Sequence, residues 1–261
     1  MTTLTPIVRA LMISWAALWV LGFLLEAVLK VQAMVWLGFS PSLLFGGELL
    51  SLVGLVSYPF LHQPSIPPWH LLFNCLLFFY LAPEVERMNP GRRFVKLLAI
   101  AALAGAAAMS LLHLLSGKFP GPVYGGSGLV TCVFAYMAAI YPGLRVSLLV
   151  ISVRLLPLFL VLTSFDLLRL IADLAGAPGS VSSEVHLAGA VVGWTAAGGW
   201  QRFPLIAGLR QRRAQRRDEQ KQQNAARDEQ ELDRILAKIS REGIGSLSPA
   251  ERKFLEQRSK R

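Results

Sequence analysis

Long apolar runs, separated by short polar or proline- and glycine-rich breaks, dominate the first two hundred residues, and the pattern reverses abruptly after them. The first run, from about Arg9 to Leu29, is long enough to cross a hydrocarbon core of roughly 30 Å at about 1.5 Å per helical residue. Its apolar part is too long for a cleavable signal and no small-residue cleavage site follows, so a retained span is predicted. Further spans are predicted from about Trp69 to Val85, Phe94 to Leu115, Ser127 to the Tyr141-Pro142-Gly143 break, Val146 to Ile171, and Val185 to Trp200. Between the first two, Val31 to Pro68 is apolar but broken by Gly38, Pro41, Gly46, Gly47, Pro59, Pro64, Pro67 and Pro68. Such a backbone cannot cross lipid unsupported, because its N–H and C=O groups would go unpaired. It is read as a loop partly sunk in the interface, with Trp36, Phe39, Phe45 and Phe60 facing lipid or the bundle. Glu86 to Arg93, with Pro90-Gly91 inside it, reads as a turn. The alanine-rich third span, with Gly105, suits close helix packing in lipid.

The tail has its own pattern. Arg210 to Glu231 is rich in Gln, Arg and Glu and reads as a helical or disordered linker. Leu232, Ile235, Leu236 and Ile239 then recur at helical spacing. Ser248-Pro249-Ala250-Glu251 is a capping box with proline at the first helical position. With Phe254 and Leu255 as an apolar face, a helical hairpin is predicted, too small for a firm core of its own. Its partner is unidentified: another protein, another copy or the membrane. The expected organisation is therefore a membrane domain at 1–203, a basic linker at 204–230 and a hairpin at 231–261.

Composition strengthens this picture. The chain is 54% hydrophobic and 16% charged, with a mean hydropathy of +0.49. Of its 26 Lys and Arg, ten precede residue 202, as do seven of its 16 acids, so the basic excess lies in the tail. A basic segment directly after an apolar span fits a cytoplasmic anchor facing anionic lipid better than a nucleic-acid site. Cys75 and Cys132 sit inside apolar runs, so neither a disulfide framework nor a zinc ribbon is indicated. Arg9, the Arg87/Arg92/Arg93/Lys96 cluster, Arg145 and the tail fall on one side of the six spans. Lys30, Glu48, Lys118, Asp173 and Glu184 fall on the other. The positive-inside rule makes the first side cytoplasmic and puts both termini inside.

That arrangement brings three polar span starts to the outer end: His70, Ser127 and His186. Tyr124-Gly125-Gly126-Ser127-Gly128-Leu129 is a serine wrapped in glycine at the start of a helix. Serine is a nucleophile only when a base takes its proton and donors meet the oxyanion. Ordinary N-cap packing is the competing reading. His186, followed by Gly189 and Gly193, is an ionisable residue in an apolar helix whose glycines admit a close neighbour. It can serve Ser127 as base, or merely bond a backbone carbonyl. No acidic residue is placed on a span at that depth, except Glu184 just outside it, so a Ser–His dyad is expected rather than a triad. His70 and Asn74 share one helix face, where both can donate to an oxyanion. Asn74 can equally be interhelical glue.

Together these motifs resemble the rhomboid family of intramembrane serine proteases, over about Ser40 to Trp200. Leu81-Ala82-Pro83-Glu84-Val85-Glu86 and Gly91-Arg92-Arg93-Phe94 resemble the family's segment after the second span. The tail resembles an extension of some bacterial members. The resemblance implies an all-α, polytopic six-helix bundle and cleavage of transmembrane protein substrates near their outer end. It also implies Ser127 as nucleophile, His186 as general base, and His70, Asn74 and the Ser127 amide as oxyanion hole. An integral protein of a bacterial inner membrane is expected, working within the lipid bilayer, with no cofactor, metal or nucleic acid.

There are departures: Ala82 stands where glycine is usual, Leu50-Ser51 where Trp-Arg is common, and Thr131 where some members have a tyrosine packed on the histidine. A silent relative that only binds transmembrane segments is the alternative. His-Glu-x-x-His of zinc proteases is absent, Leu129 replaces the glycine of an α/β-hydrolase elbow, and no transporter-like internal repeat is found.

Overall fold

Six helices carry the six apolar runs: α1 (Pro6–Phe23, extended by a wider π turn over Leu24–Val28), α5 (Trp69–Met88), α6 (Arg92–Ser116), α7 (Ser127–Ile140), α8 (Leu155–Leu174) and α9 (Ser183–Ala196). The structure is a computed structural model describing residues 3–31, 33–49, 51–117, 121–148, 151–176, 182–202 and 204–259. Residues 1–200 and 201–261 form two separate compact units. Leu50 and Lys118, which entered the loop and charge readings, lie outside the described residues.

The first unit is an all-α polytopic membrane bundle. Pro6–Val28, Arg92–Ser116 and Leu155–Leu174 are long and apolar enough to cross a membrane. Ile13 and Val20 of α1, Ile100 and Leu114 of α6, and Phe165 and Leu168 of α8 lie on its exposed surface, an apolar face suited to lipid. α7 is different. Eleven of its residues, Gly128 to Val130 and Cys132 to Ala139, are buried by its neighbours. Lipid is as apolar as leucine, so tight packing of small residues rather than hydrophobicity holds such helices together. Gly105 of α6 accordingly meets Val185 of α9, where an added Cβ would lie 2.8 Å from Cγ1.

Glu86 shows how the ends are secured. The Thr5 side chain does not cap α1, whose first amides need acceptors. The buried Glu86 carboxylate supplies them, accepting from Ile7 N–H at 3.1 Å, Val8 N–H at 2.9 Å and the Thr5 hydroxyl at 2.5 Å. Glu86 therefore lies on α5, not in a turn: the helix passes Pro83 and ends at Met88, leaving Asn89–Gly91 as the connection.

Two predicted segments fold differently. The interrupted stretch after α1 forms short helices α2 (Ala33–Leu37), α3 (Pro41–Phe45) and α4 (Ser51–Ser57), with a 3-10 turn at Tyr58–Phe60. Trp36 and Phe45 are exposed, whereas Phe39 is fully buried against Tyr58, Met109 and Val185. The fifth span begins nine residues later than predicted, at Leu155. Before it, β1 (Arg145–Leu148) and β2 (Ile151–Arg154) pair antiparallel, Val146 opposite Val153 and Ser147 opposite Ser152. The alternation Val-Ser-Leu and Ile-Ser-Val has the period of strands. Pro157 follows in the first turn of α8, where a missing N–H costs nothing.

The second unit contains the long helix α10 (Pro204–Glu242) and α11 (Pro249–Ser259). Residues 204–230 and the first hairpin helix are thus one continuous helix. The capping box forms: Ser248 N–H donates to Glu251 at 2.8 Å, and Glu251 N–H to Ser248 Oγ at 3.3 Å. Glu251 also pairs with Arg234 at 2.9 Å and Lys238 at 3.1 Å, pinning α11 to α10 around the buried Ile235. Leu236, counted in the apolar stripe, is half exposed.

Candidate active site

Ser127 is the first residue of α7 and its position is set by the turn before it. Gly125 has φ +143°, a conformation open to glycine, and an added Cβ would lie 2.6 Å from the His70 ring. At Gly126 a Cβ would strike Trp15 of α1 at 2.3 Å. The turn is tethered further by Gly125 N–H to Tyr58 O at 2.9 Å, and by paired main-chain bonds between Phe39 and Val123 at 2.9 and 2.8 Å. The broken segment before α5 thus braces the serine turn.

α9 brings the base. Added Cβ atoms at Gly189 and Gly193 would sit 2.2 Å from Gly128 O and 1.9 Å from Cys132 O. Helix backbones in such contact leave the His186 side chain one turn above, facing Ser127. His186 Nε2 lies 2.8 Å from Ser127 Oγ. The other ring nitrogen, Nδ1, lies 3.0 Å from Asp166 Oδ1 on α8. This overturns the expectation that no acid reaches that depth: the arrangement contains an acid as well as the serine and histidine. His186 lies in the first turn of α9, whereas α8 continues eight residues beyond Asp166, so the helix ends are not level. The available signal was an acid inside an apolar helix, which marks function by default.

His70 and Asn74 join Ser127 and His186 in lining one cavity of about 540 Å³, with Gln63, Tyr124 and Ser182 adding polar groups. All four sequence-predicted residues therefore converge. Asn74 is buried, and its amide nitrogen lies 3.1 Å from Nε2 of the fully buried His62. Burial and the neighbouring His70 push the His62 imidazole down to about 3, so it is neutral near pH 7 and can accept from Asn74. The ring also packs on Trp15 and His70, each with centroids 5.2 Å apart. Sequence reading passed over His62, which stands in an irregular segment without motif spacing. Thr131 does not replace a ring-packing tyrosine. Its hydroxyl lies 3.0–3.1 Å from the carbonyls of Ser127, Gly128 and His186, so it holds main chain, not imidazole.

The Rhomboid domain pattern matches residues 49–201. The chain therefore belongs to the rhomboid family, typically intramembrane serine proteases, and is an integral membrane protein. Residues 215–261 match a family of unknown function (DUF6576). No curated protein matches the chain.

Proposed function

We propose that this protein is an intramembrane serine endopeptidase that cleaves transmembrane segments of membrane proteins near the outer leaflet. The observation that carries the reading is the 2.8 Å contact between Ser127 Oγ and His186 Nε2 at the wall of a cavity that His70 and Asn74 also line. His186 Nε2 takes the Ser127 proton as Oγ attacks the scissile carbonyl. His70, the Asn74 amide and the Ser127 N–H, which is unpaired at the positive end of α7, stabilise the oxyanion. The proton passes to the leaving amine, and water entering the cavity hydrolyses the acyl-enzyme. α7 has 14 residues, about 21 Å at 1.5 Å per residue, so with its Tyr141 end at the cytoplasmic boundary its start falls short of the far side of a hydrocarbon core of roughly 30 Å, which supports attack below the outer surface. The basic loops and tail support cytoplasmic termini, and the likeness of the tail to an extension of some bacterial members supports a bacterial inner membrane.

The test is cleavage of a model transmembrane substrate in proteoliposomes, with labelling by a serine-directed fluorophosphonate. Ser127→Ala should abolish both while leaving the thermal midpoint nearly unchanged. Wild-type protein that neither cleaves nor labels would instead support a silent binder of transmembrane segments.

A further inference from the structure

Asp166 sits in α8 among exposed apolar residues, with Phe165 and Leu168 beside it on the outward surface. A carboxylate in such a helix is costly unless paired, and its side chain turns inward, 15% exposed, to the His186 ring. The pairing is held in register from below. Phe159 of α8 stacks on Trp194 of α9 with ring centroids 5.8 Å apart and planes 7° from parallel. These two lie about two turns from Asp166 and His186 on antiparallel helices. Thr131 Oγ1, shared among the carbonyls of Ser127, Gly128 and His186 at 3.0–3.1 Å, meets main chain and not the ring. Among the described residues the ring's Nδ1 is met by Asp166.

Building on the serine-protease reading above, we propose that Asp166 is a positioning residue that fixes the tautomer and orientation of His186, making the reactive group a Ser127–His186–Asp166 triad. With Nδ1–H donated to the Asp166 carboxylate, the Nε2 lone pair faces Ser127. As the Oγ–C bond forms, Nε2 gains the serine proton. The positive imidazolium then lies between the carboxylate and the anionic tetrahedral centre. When the C–N bond of the substrate breaks, that proton leaves Nε2 for the amine, and Asp166 stays ionised throughout.

A carboxylate that only tied α8 to α9 would affect stability and leave the chemistry of the folded enzyme alone. The orienting aspartate of a soluble triad is worth about 10⁴-fold in kcat. Asp166→Asn in the full-length enzyme should lower kcat by about 10²–10⁴-fold with KM within about twofold, and Asp166→Glu should recover part of the loss. A fall of less than about tenfold, or one confined to KM, would overturn the assignment. If Asp166→Asn does not fold, ¹⁵N NMR of histidine-labelled wild-type protein decides. The resonances lost in His186→Ala should report the neutral Nδ1–H tautomer, and an Nε2–H tautomer would overturn the proposal. This measurement needs no turnover, so it separates failure of Asp166's role from failure of the protease reading, which wild-type cleavage and Ser127 labelling test directly.

Discussion

Gly193 on α9 lies against the carbonyl of Cys132 on α7 so closely that a methyl group there would be 1.9 Å from the oxygen. Backbone, unlike a flexible side chain, cannot step aside. Gly193→Ala should therefore push α9 away from α7 and carry His186 with it. A stability loss of about 1–3 kcal/mol or more is expected for such overpacking, together with a lower cleavage rate in the molecules that still fold. Thermal midpoint and rate measured on the same preparation check this. A variant indistinguishable from wild type in both would mean the helices are not in that contact.

Asn74 separates catalysis from mere packing. Loss of one oxyanion donor typically costs on the order of 10²–10³ in kcat, roughly 3–4 kcal/mol. Asn74→Ala should show that loss with KM nearly unchanged, since the bond strengthens in the transition state. His62→Ala should lower kcat by a smaller factor, because it removes the holder of Asn74 and leaves the donor. If Asn74 is interhelical glue, the midpoint will fall and the rate per folded molecule will not.

The proposed orientation rests on the loop charges. Cysteine at Asp173, near the end of α8, should react with an impermeant thiol reagent added outside intact cells, in a background lacking Cys75 and Cys132. Cysteine at Arg92 should react only after permeabilisation. Outside labelling at Arg92 would place the serine at the cytoplasmic face.

The tail hairpin carries a pH dependence of its own. The Ser248 N–H, followed by Lys238, holds the Glu251 carboxyl down to about 2, against an ordinary 4.5. Protons therefore bind the unfolded tail first on acidification. The contribution of Glu251 is complete above about pH 4.5 and is lost as the pH falls toward 2. Hydrogen exchange of residues 249–255 in the full-length protein, corrected for intrinsic rates, should show protection dropping through that window. Glu251→Gln should be less protected at neutral pH and lose most of the pH dependence.

The spans were legible because lipid leaves the backbone only one economical structure, so a long apolar run announces a helix. The convergence of Ser127, His186 and His70 was legible because they open three spans whose starts the loop charges bring to one end, and that of Asn74 because it shares a helix face with His70. The capping box at Ser248 was legible for a local reason, since its bonds span three residues. Other features escaped because they depend on distance in space. Val146 to Arg154 is apolar enough for a span, and only the cross-strand pairing of Val146 with Val153 separates hairpin from helix. Asp166 stood in plain view, yet its role rests on how far α8 extends past the start of α9, which residue counting along separate helices cannot supply. His62 carries no motif; it matters because Trp15, Asn74 and the serine turn close around it. Local hydrogen bonding and transfer from water to lipid act residue by residue and so can be read along the chain. Which side chain faces which across a helix pair is decided by close contacts such as Gly189 on Gly128 and Gly193 on Cys132, and these exist only once the helices have packed.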